Sequence, residues 1–176
     1  MNSMTPVPPA TLNLDAEALY LQLLVQIKEH TSAIENLAIV GIYSGGVWLA
    51  ERLNADLGLT TKPGFIDVSF YRDDYAKKGL HPDVKPTQIP FHVDNATIIL
   101  VDDVLYTGRT TRAAINELFD YGRPAKIMLA ALVDRGGREL PVVADFVAYS
   151  KFFEKTSSVN LHRAADGKLS LSIDHA

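Results

Sequence analysis

The chain contains no cysteine. That absence removes disulfides, thiolate metal ligands and cysteine nucleophiles from consideration, and nothing ties the chain to an oxidising compartment. An excess of positive charge is missing too: 17 Lys and Arg stand against 21 Asp and Glu, for a formal net charge of -4. A protein whose affinity comes mainly from coating nucleic acid or anionic lipid is therefore disfavoured, although a local basic face is compatible with an acidic average. No apolar run approaches the ~20 residues needed to span a bilayer, and Met1 to Leu12 has neither the basic nor the apolar region of a signal peptide. The expectation is a soluble protein with a cytoplasmic location. Internal repeats, low-complexity tracts and a visible second domain are also lacking.

What is present suffices for one domain. Of 176 residues, 47% are apolar, enough for a core without staples. Residues 1–13 read as a loose N-terminal arm, with three prolines between Thr5 and Thr11, and residues 14–176 as the folded domain. Asp15 can cap a helix running through Leu19, Leu23 and Ile27. Short β-branched runs then alternate with amphipathic stretches, the pattern of βαβ units around a mostly parallel sheet flanked by helices. Ala38 to Tyr43, Phe65 to Phe70, Thr97 to Val101, Ile127 to Val133, Phe146 to Tyr149 and Leu169 to Ile173 are the expected strands. Helices are expected through Leu49, Leu53 and Leu57 up to Gly58, and from about Thr110 to Tyr121, where Gly122 and Pro124 end it. Tyr71 to Pro90 is long, charged and proline-containing. A loop of that length in a compact domain is usually a lid, a binding loop or an insert, and it is read here as a flexible lid.

Chemistry concentrates between Ile98 and Thr111. A buried strand delivers Asp102 and Asp103 to its C-terminal end, which is where open α/β sheets bind ligands. A few residues on, Thr107, Gly108, Arg109, Thr110 and Thr111 enter a helix. Free backbone N–H groups, three threonine hydroxyls and the positive end of the helix dipole can there converge on one anion, with Gly108 allowing close approach. Acceptors for two hydroxyls beside donors for a phosphate match the two ends of a ribose 5-phosphate. The plainer reading, in which Asp103 caps a helix and the threonines fill turn positions, accounts for less of the pattern. The segment is neither G-x-x-x-x-G-K-S/T nor G-x-G-x-x-G, which disfavours a P-loop or dinucleotide fold.

Val101 to Thr110 resembles the phosphoribosyl pyrophosphate signature of the type I phosphoribosyltransferases. Tyr71-Arg72-Asp73-Asp74, Val101 to Thr110 and Leu132 to Pro141, in this order, resemble the bifunctional members that join uracil phosphoribosyl transfer to regulation of pyrimidine operons. The resemblance covers roughly Asp15 to Tyr149 and implies a single-domain α/β fold with a lid loop and a small hood. It implies an enzyme making UMP and pyrophosphate from uracil and 5-phosphoribosyl 1-pyrophosphate (PRPP). Asp102 and Asp103 would hold the ribose hydroxyls, and Thr107 to Thr111 the 5′-phosphate. Ser44, Gly45 and Gly46 would form a second nest of backbone donors, for pyrophosphate. Arg72, with Lys77 and Lys78 in the lid, would meet the departing pyrophosphate, although Lys77 and Lys78 read almost as well as solvated surface. Val133, Asp134 and Arg135 would belong to a hood over the base; Arg135 reads equally as an ion-pair partner of Asp134 or Glu139. Mg²⁺ is implied as cofactor, held mainly by substrate oxygens with no dedicated protein ligands. A homo-oligomer and a pyrimidine operon mRNA are the further implied partners.

The chain departs from the family pattern at informative places. Purine enzymes of this class usually carry a carboxylate immediately before the Thr-Gly, whereas this chain has Tyr106, which favours a pyrimidine with an acidic N–H. The best-studied of the regulators it resembles carry a basic residue in the pyrophosphate loop and a histidine in the Asp-Arg-Gly turn, where this chain has Gly45 and Gly137. Two other readings stand beside the enzyme: a non-enzymatic, nucleotide-sensing RNA-binding regulator, and a phosphoribosyltransferase for a purine base. RNA binding requires clustered cations, with Arg112, Arg123, Lys126, Arg138, Lys151 and Lys155 as candidates. The five histidines, His30, His81, His92, His162 and His175, have no metal-site spacing and read as surface or loop residues. Trp48, Tyr43 and Phe70 read as core.

Overall fold

A computed structural model describes residues 12–68 and 86–175. Residues 1–11, most of the expected arm, lie outside the described residues, as do residues 69–85, which carry Phe70, Arg72, Lys77, Lys78 and His81.

The chain runs α1 (Ala16–Thr31), β1 (Leu37–Ile42), α2 (Gly45–Asp56), β2 (Gly64–Ile66), β3 (Thr97–Leu105), α3 (Arg109–Tyr121), β4 (Lys126–Asp134), β5 (Phe146–Ser150), β6 (Ser157–Arg163) and β7 (Leu169–His175). Five strands form one sheet in the order β2-β1-β3-β4-β5, with every pair parallel. Asp15 caps α1 as expected, its Oδ1 accepting from the Ala18 N–H at 3.1 Å. Leu19, Leu23 and Ile27 form the buried stripe that packs on the sheet.

Side chains alternate across the central strands. Ile39, Ile99, Val101 and Ala130 join α1, α2 and the C-terminal strands on one face. Val40, Ile98, Leu100 and Leu129 join α3 on the other. Burial on both faces explains why β3 and β4 read as continuous apolar runs. Each fully buried aliphatic side chain contributes about 1.5–3 kcal/mol.

Three differences from the sequence reading matter. Strand β3 runs past Val101 to Leu105, still paired with β4 at Val104–Val133 and Leu105–Asp134, so the acidic pair lies within the strand. The C-terminal part of the expected lid is fixed: Phe65 and Gln88 exchange backbone hydrogen bonds of 2.7 and 2.8 Å, and Ile89 packs into the core. The segment after Tyr149, expected to hold one strand, forms an antiparallel hairpin of β6 and β7.

Candidate active site

Pairing between β1 and β3 ends at Gly41–Val101, while β3 and β4 stay paired to Leu105–Asp134. The chain leaves β1 toward β2 on one side and returns at β3 on the other. This is a topological switch point, the place where an open α/β sheet leaves a crevice at its strand ends. Asp102 and Asp103 sit on the step. Asp102 is buried at 5% exposure, and its Oδ1 accepts from the Asp103 N–H at 2.9 Å. Asp103 Oδ1 accepts from the Val104 N–H at 2.9 Å. Both carboxylates are thus oriented by backbone.

On one flank, β3 turns into α3 through Thr107 and Gly108. Gly108 adopts φ +91° at the N-cap, a left-handed conformation that strains any residue with a β-carbon. Thr107 Oγ1 accepts from the Arg109 N–H at 3.2 Å, and the Thr107 carbonyl accepts from Glu139 and Leu140 at 2.9 and 3.1 Å. The N–H groups of Thr110 and Thr111 fall in the first turn of the helix, where no intrahelical acceptor exists. The Thr111 hydroxyl is buried with no hydrogen-bond partner among the described residues. The loop therefore has donors to give an anion.

On the other flank, β1 turns into α2 through Ser44, Gly45 and Gly46, preceded by a cis Tyr43–Ser44 peptide. A β-carbon on Gly46 would stand 2.4 Å from the Val101 carbonyl oxygen, and one on Gly45 would stand 2.3 Å from Asp103 Oδ2. Glycine lets this loop lie directly against the acidic strand. Burial pushes the Tyr43 phenol above its usual range, with Glu51 and Asp67 adding to the effect.

The two loops and the acids enclose one cleft of about 490 Å³, lined by Ser44, Gly45, Asp102, Asp103, Tyr106, Thr107, Gly108, Thr110 and Thr111. Gly46 packs behind it, and the Arg109 side chain turns to Glu139 at 2.9 Å. Trp48, read as core, is half-buried and lines the cleft with Val104, Leu105, Val159, Asn160 and Leu161. The β6 residues lie outside the expected strands, although Val159 and Leu161 alternate with polar neighbours ahead of an Asp166-Gly167 turn, a recognisable hairpin signal.

Val133 and Asp134 pair with Val104 and Leu105 of the cleft lining, and Arg135 follows them at the end of β4. Asp134 pairs with Arg138, whose other nitrogens donate to the carbonyls of Tyr106 at 2.6 Å and Val142 at 2.8 Å. Arg135 is buried, donates from Nη2 to the Glu154 carbonyl at 2.9 Å and stacks 4.0 Å over the Tyr106 ring. The ion pairs considered for it are made by others: Arg138 takes Asp134 and Arg109 takes Glu139. Of the candidate RNA-contacting cations, Arg138 is occupied by this clamp, and Arg123 by the carbonyls of Phe119 and Gly122. His30, His92, His162 and His175 are exposed. Among the described residues no group of three or more metal-binding side chains occurs, and no helix is long and apolar enough to cross a membrane.

The chain matches the phosphoribosyl transferase domain family over residues 14–162. It is 49% identical over 156 residues to the bifunctional protein PyrR of Ralstonia nicotianae, covering 88% of this chain and 89% of that one. With the bifunctional protein PyrR of Nitrosococcus oceani it shares 52% identity over 145 residues, 80% of this chain and 81% of the other. Among solved structures, a hypoxanthine phosphoribosyltransferase from Staphylococcus aureus superposes with a TM-score of 0.62 at 20% identity, covering 86% of this chain and 85% of that one. A purine phosphoribosyltransferase from Pyrococcus horikoshii does so with a TM-score of 0.56 at 26% identity, covering 78% and 85%.

Proposed function

This chain belongs to the phosphoribosyl transferase domain family and, within it, to the bifunctional PyrR proteins, and on that premise we propose that it makes UMP and pyrophosphate from uracil and PRPP. The observation that carries this reading is the placement of Asp102 and Asp103 at the switch point between two loops suited to anions. Phosphoryl groups would bind at both ends of a sugar held by the acids between them. Thr107, Gly108, Thr110 and Thr111 hold the 5′-phosphate, and the backbone of Ser44, Gly45 and Gly46 receives the pyrophosphate. One exposed helix-terminus contact contributes only ~0.3–1 kcal/mol, whereas micromolar affinity needs about 8 kcal/mol, so both loops must act together.

In the reaction a uracil nitrogen forms a bond to C1′ as the bond from C1′ to pyrophosphate breaks. Positive charge builds on the ribose ring, and water must be kept from it. Arg72 and the segment around it, outside the described residues, take the lid role in this reading. The hard oxygen donors of Asp102 and Asp103 fit Mg²⁺, which when bound to substrate neutralises the leaving pyrophosphate.

The relatives' bifunctional name supports a second role, UMP-responsive regulation of pyrimidine operon expression through mRNA binding. The same reading places the protein in the cytoplasm as a homo-oligomer. Pyrophosphate release from PRPP that depends on uracil, and does not occur with hypoxanthine or adenine, tests the enzyme. Release with a purine instead would replace uracil as the substrate. Retention of pyrimidine leader RNA that rises with UMP and falls steeply with salt tests the regulator.

A further inference from the structure

We infer that Tyr106 is the specificity-determining wall of the base subsite, its clamped ring filling space that the second ring of a purine would need. The inference rests on the phosphoribosyltransferase reading above and deepens it.

Tyr106 lines the cleft between the ribose-facing Asp103 and the phosphate-facing Thr107, on the side where the turn after β4 closes over the strand ends. Its backbone is tied there, because Arg138 Nη1 donates to its carbonyl at 2.6 Å. Its ring is tied as well. The Arg135 guanidinium lies 4.0 Å over it, a stacked cation whose attraction strengthens on burial. At the ring edge stands Gly137, where a β-carbon would lie 2.5 Å from Tyr106 Cε2. The ring therefore touches bare backbone. Gly137 also has φ +77°, so a larger residue there would be strained and would press on the tyrosine ring.

Arg135 is held in turn by the Glu154 carbonyl at 2.9 Å and by its own N–H to the Leu105 carbonyl at 3.0 Å. Its buried Nε has no partner among the described residues. Among the described residues the guanidinium is thus placed by its stack on Tyr106 and by the Glu154 carbonyl, with no carboxylate paired to it. A loose side chain swings aside for a larger ligand; one clamped on a face, an edge and its backbone does not. Arg135 and Gly137 act through Tyr106 and are positioning residues.

The test compares wild type with Tyr106→Ala, Tyr106→Phe and Gly137→Ala. It measures kcat/KM for uracil and hypoxanthine, KM for PRPP, and calorimetric binding of UMP and IMP. In Tyr106→Ala the preference for uracil over hypoxanthine should shrink by roughly 10–200-fold, the range available to shape discrimination in an apolar pocket. Tyr106→Phe keeps the ring and should keep the preference. Gly137→Ala should change the ratio of the two bases, whereas a purely structural role would lower kcat for both alike. An unchanged ratio of the two bases in Tyr106→Ala, both measured at the same saturating PRPP, would overturn the inference. Should the wild type make no UMP, the enzyme reading fails, and the UMP-to-IMP affinity ratio in wild type and Tyr106→Ala still decides the role of the tyrosine.

Discussion

Gly45 and Asp103 meet so closely that a β-carbon on the glycine would stand 2.3 Å from Asp103 Oδ2. The loop after β1 and the acidic end of β3 thus form one unit, and the carboxylate occupies the room a side chain would take. Gly45→Ala should displace Asp103 and lower kcat/KM for PRPP by about 10–100-fold, at a stability cost of about 1–3 kcal/mol. Steady-state kinetics beside urea denaturation separate the two effects.

Gly46→Ala should behave differently. Its β-carbon would meet the Val101 carbonyl at 2.4 Å, and a central strand cannot move aside as a side chain can. Destabilisation above that of Gly45→Ala is expected from denaturation midpoints, and equal stabilities would contradict the packing argument.

Thr111→Val replaces a buried hydroxyl that has no partner among the described residues. Removing an unsatisfied polar group at constant shape is nearly neutral or stabilising, so the melting temperature should hold or rise. If that hydroxyl waits for the 5′-phosphate, KM for PRPP should rise by about 10-fold or more, as expected for a lost hydrogen bond to a charged group. A fall in stability with unchanged KM would remove Thr111 from the phosphate site.

Glu17 links α1 to the C-terminal hairpin, accepting from the Leu169 N–H at 2.8 Å, and to α2 through Arg52 at 2.7 Å. The Leu169 bond holds its carboxyl below the usual glutamate range, with Arg52 assisting and desolvation opposing. A depressed folded-state pKa contributes stability that is present above the unfolded value of about 4.3. That contribution is lost as pH falls through the folded value. Glu17→Gln should be less stable than wild type at pH 6 and lose less on acidification. Denaturation curves between pH 6 and 3 test this; parallel losses would show that Glu17 contributes nothing to acid sensitivity.

Much of this arrangement was legible in the sequence because it is local. The run from Ile98 to Thr111 carries strand, acids, turn and helix start in order, and Ser44-Gly45-Gly46 marks the partner loop. What is not local was harder to read. The contact of Asp103 with Gly45 depends on strand order. The contribution of Val159, Asn160 and Leu161 depends on how the hairpin folds back. Arg135 had two equal readings because its neighbours in sequence, Asp134 and Glu139, offered pairing, yet Arg138 and Arg109 reach them instead. Trp48 read as core on composition and does pack against it, but its helix begins at the cleft and the half-buried residue lines that as well.

The most direct test follows UMP formation from uracil, PRPP and Mg²⁺ by wild type and by Asp103→Asn, with melting temperatures taken on the same samples. UMP formed by the wild type and nearly abolished in an equally stable Asp103→Asn protein is the predicted result. No UMP from the wild type, or full activity in the variant, would contradict the account.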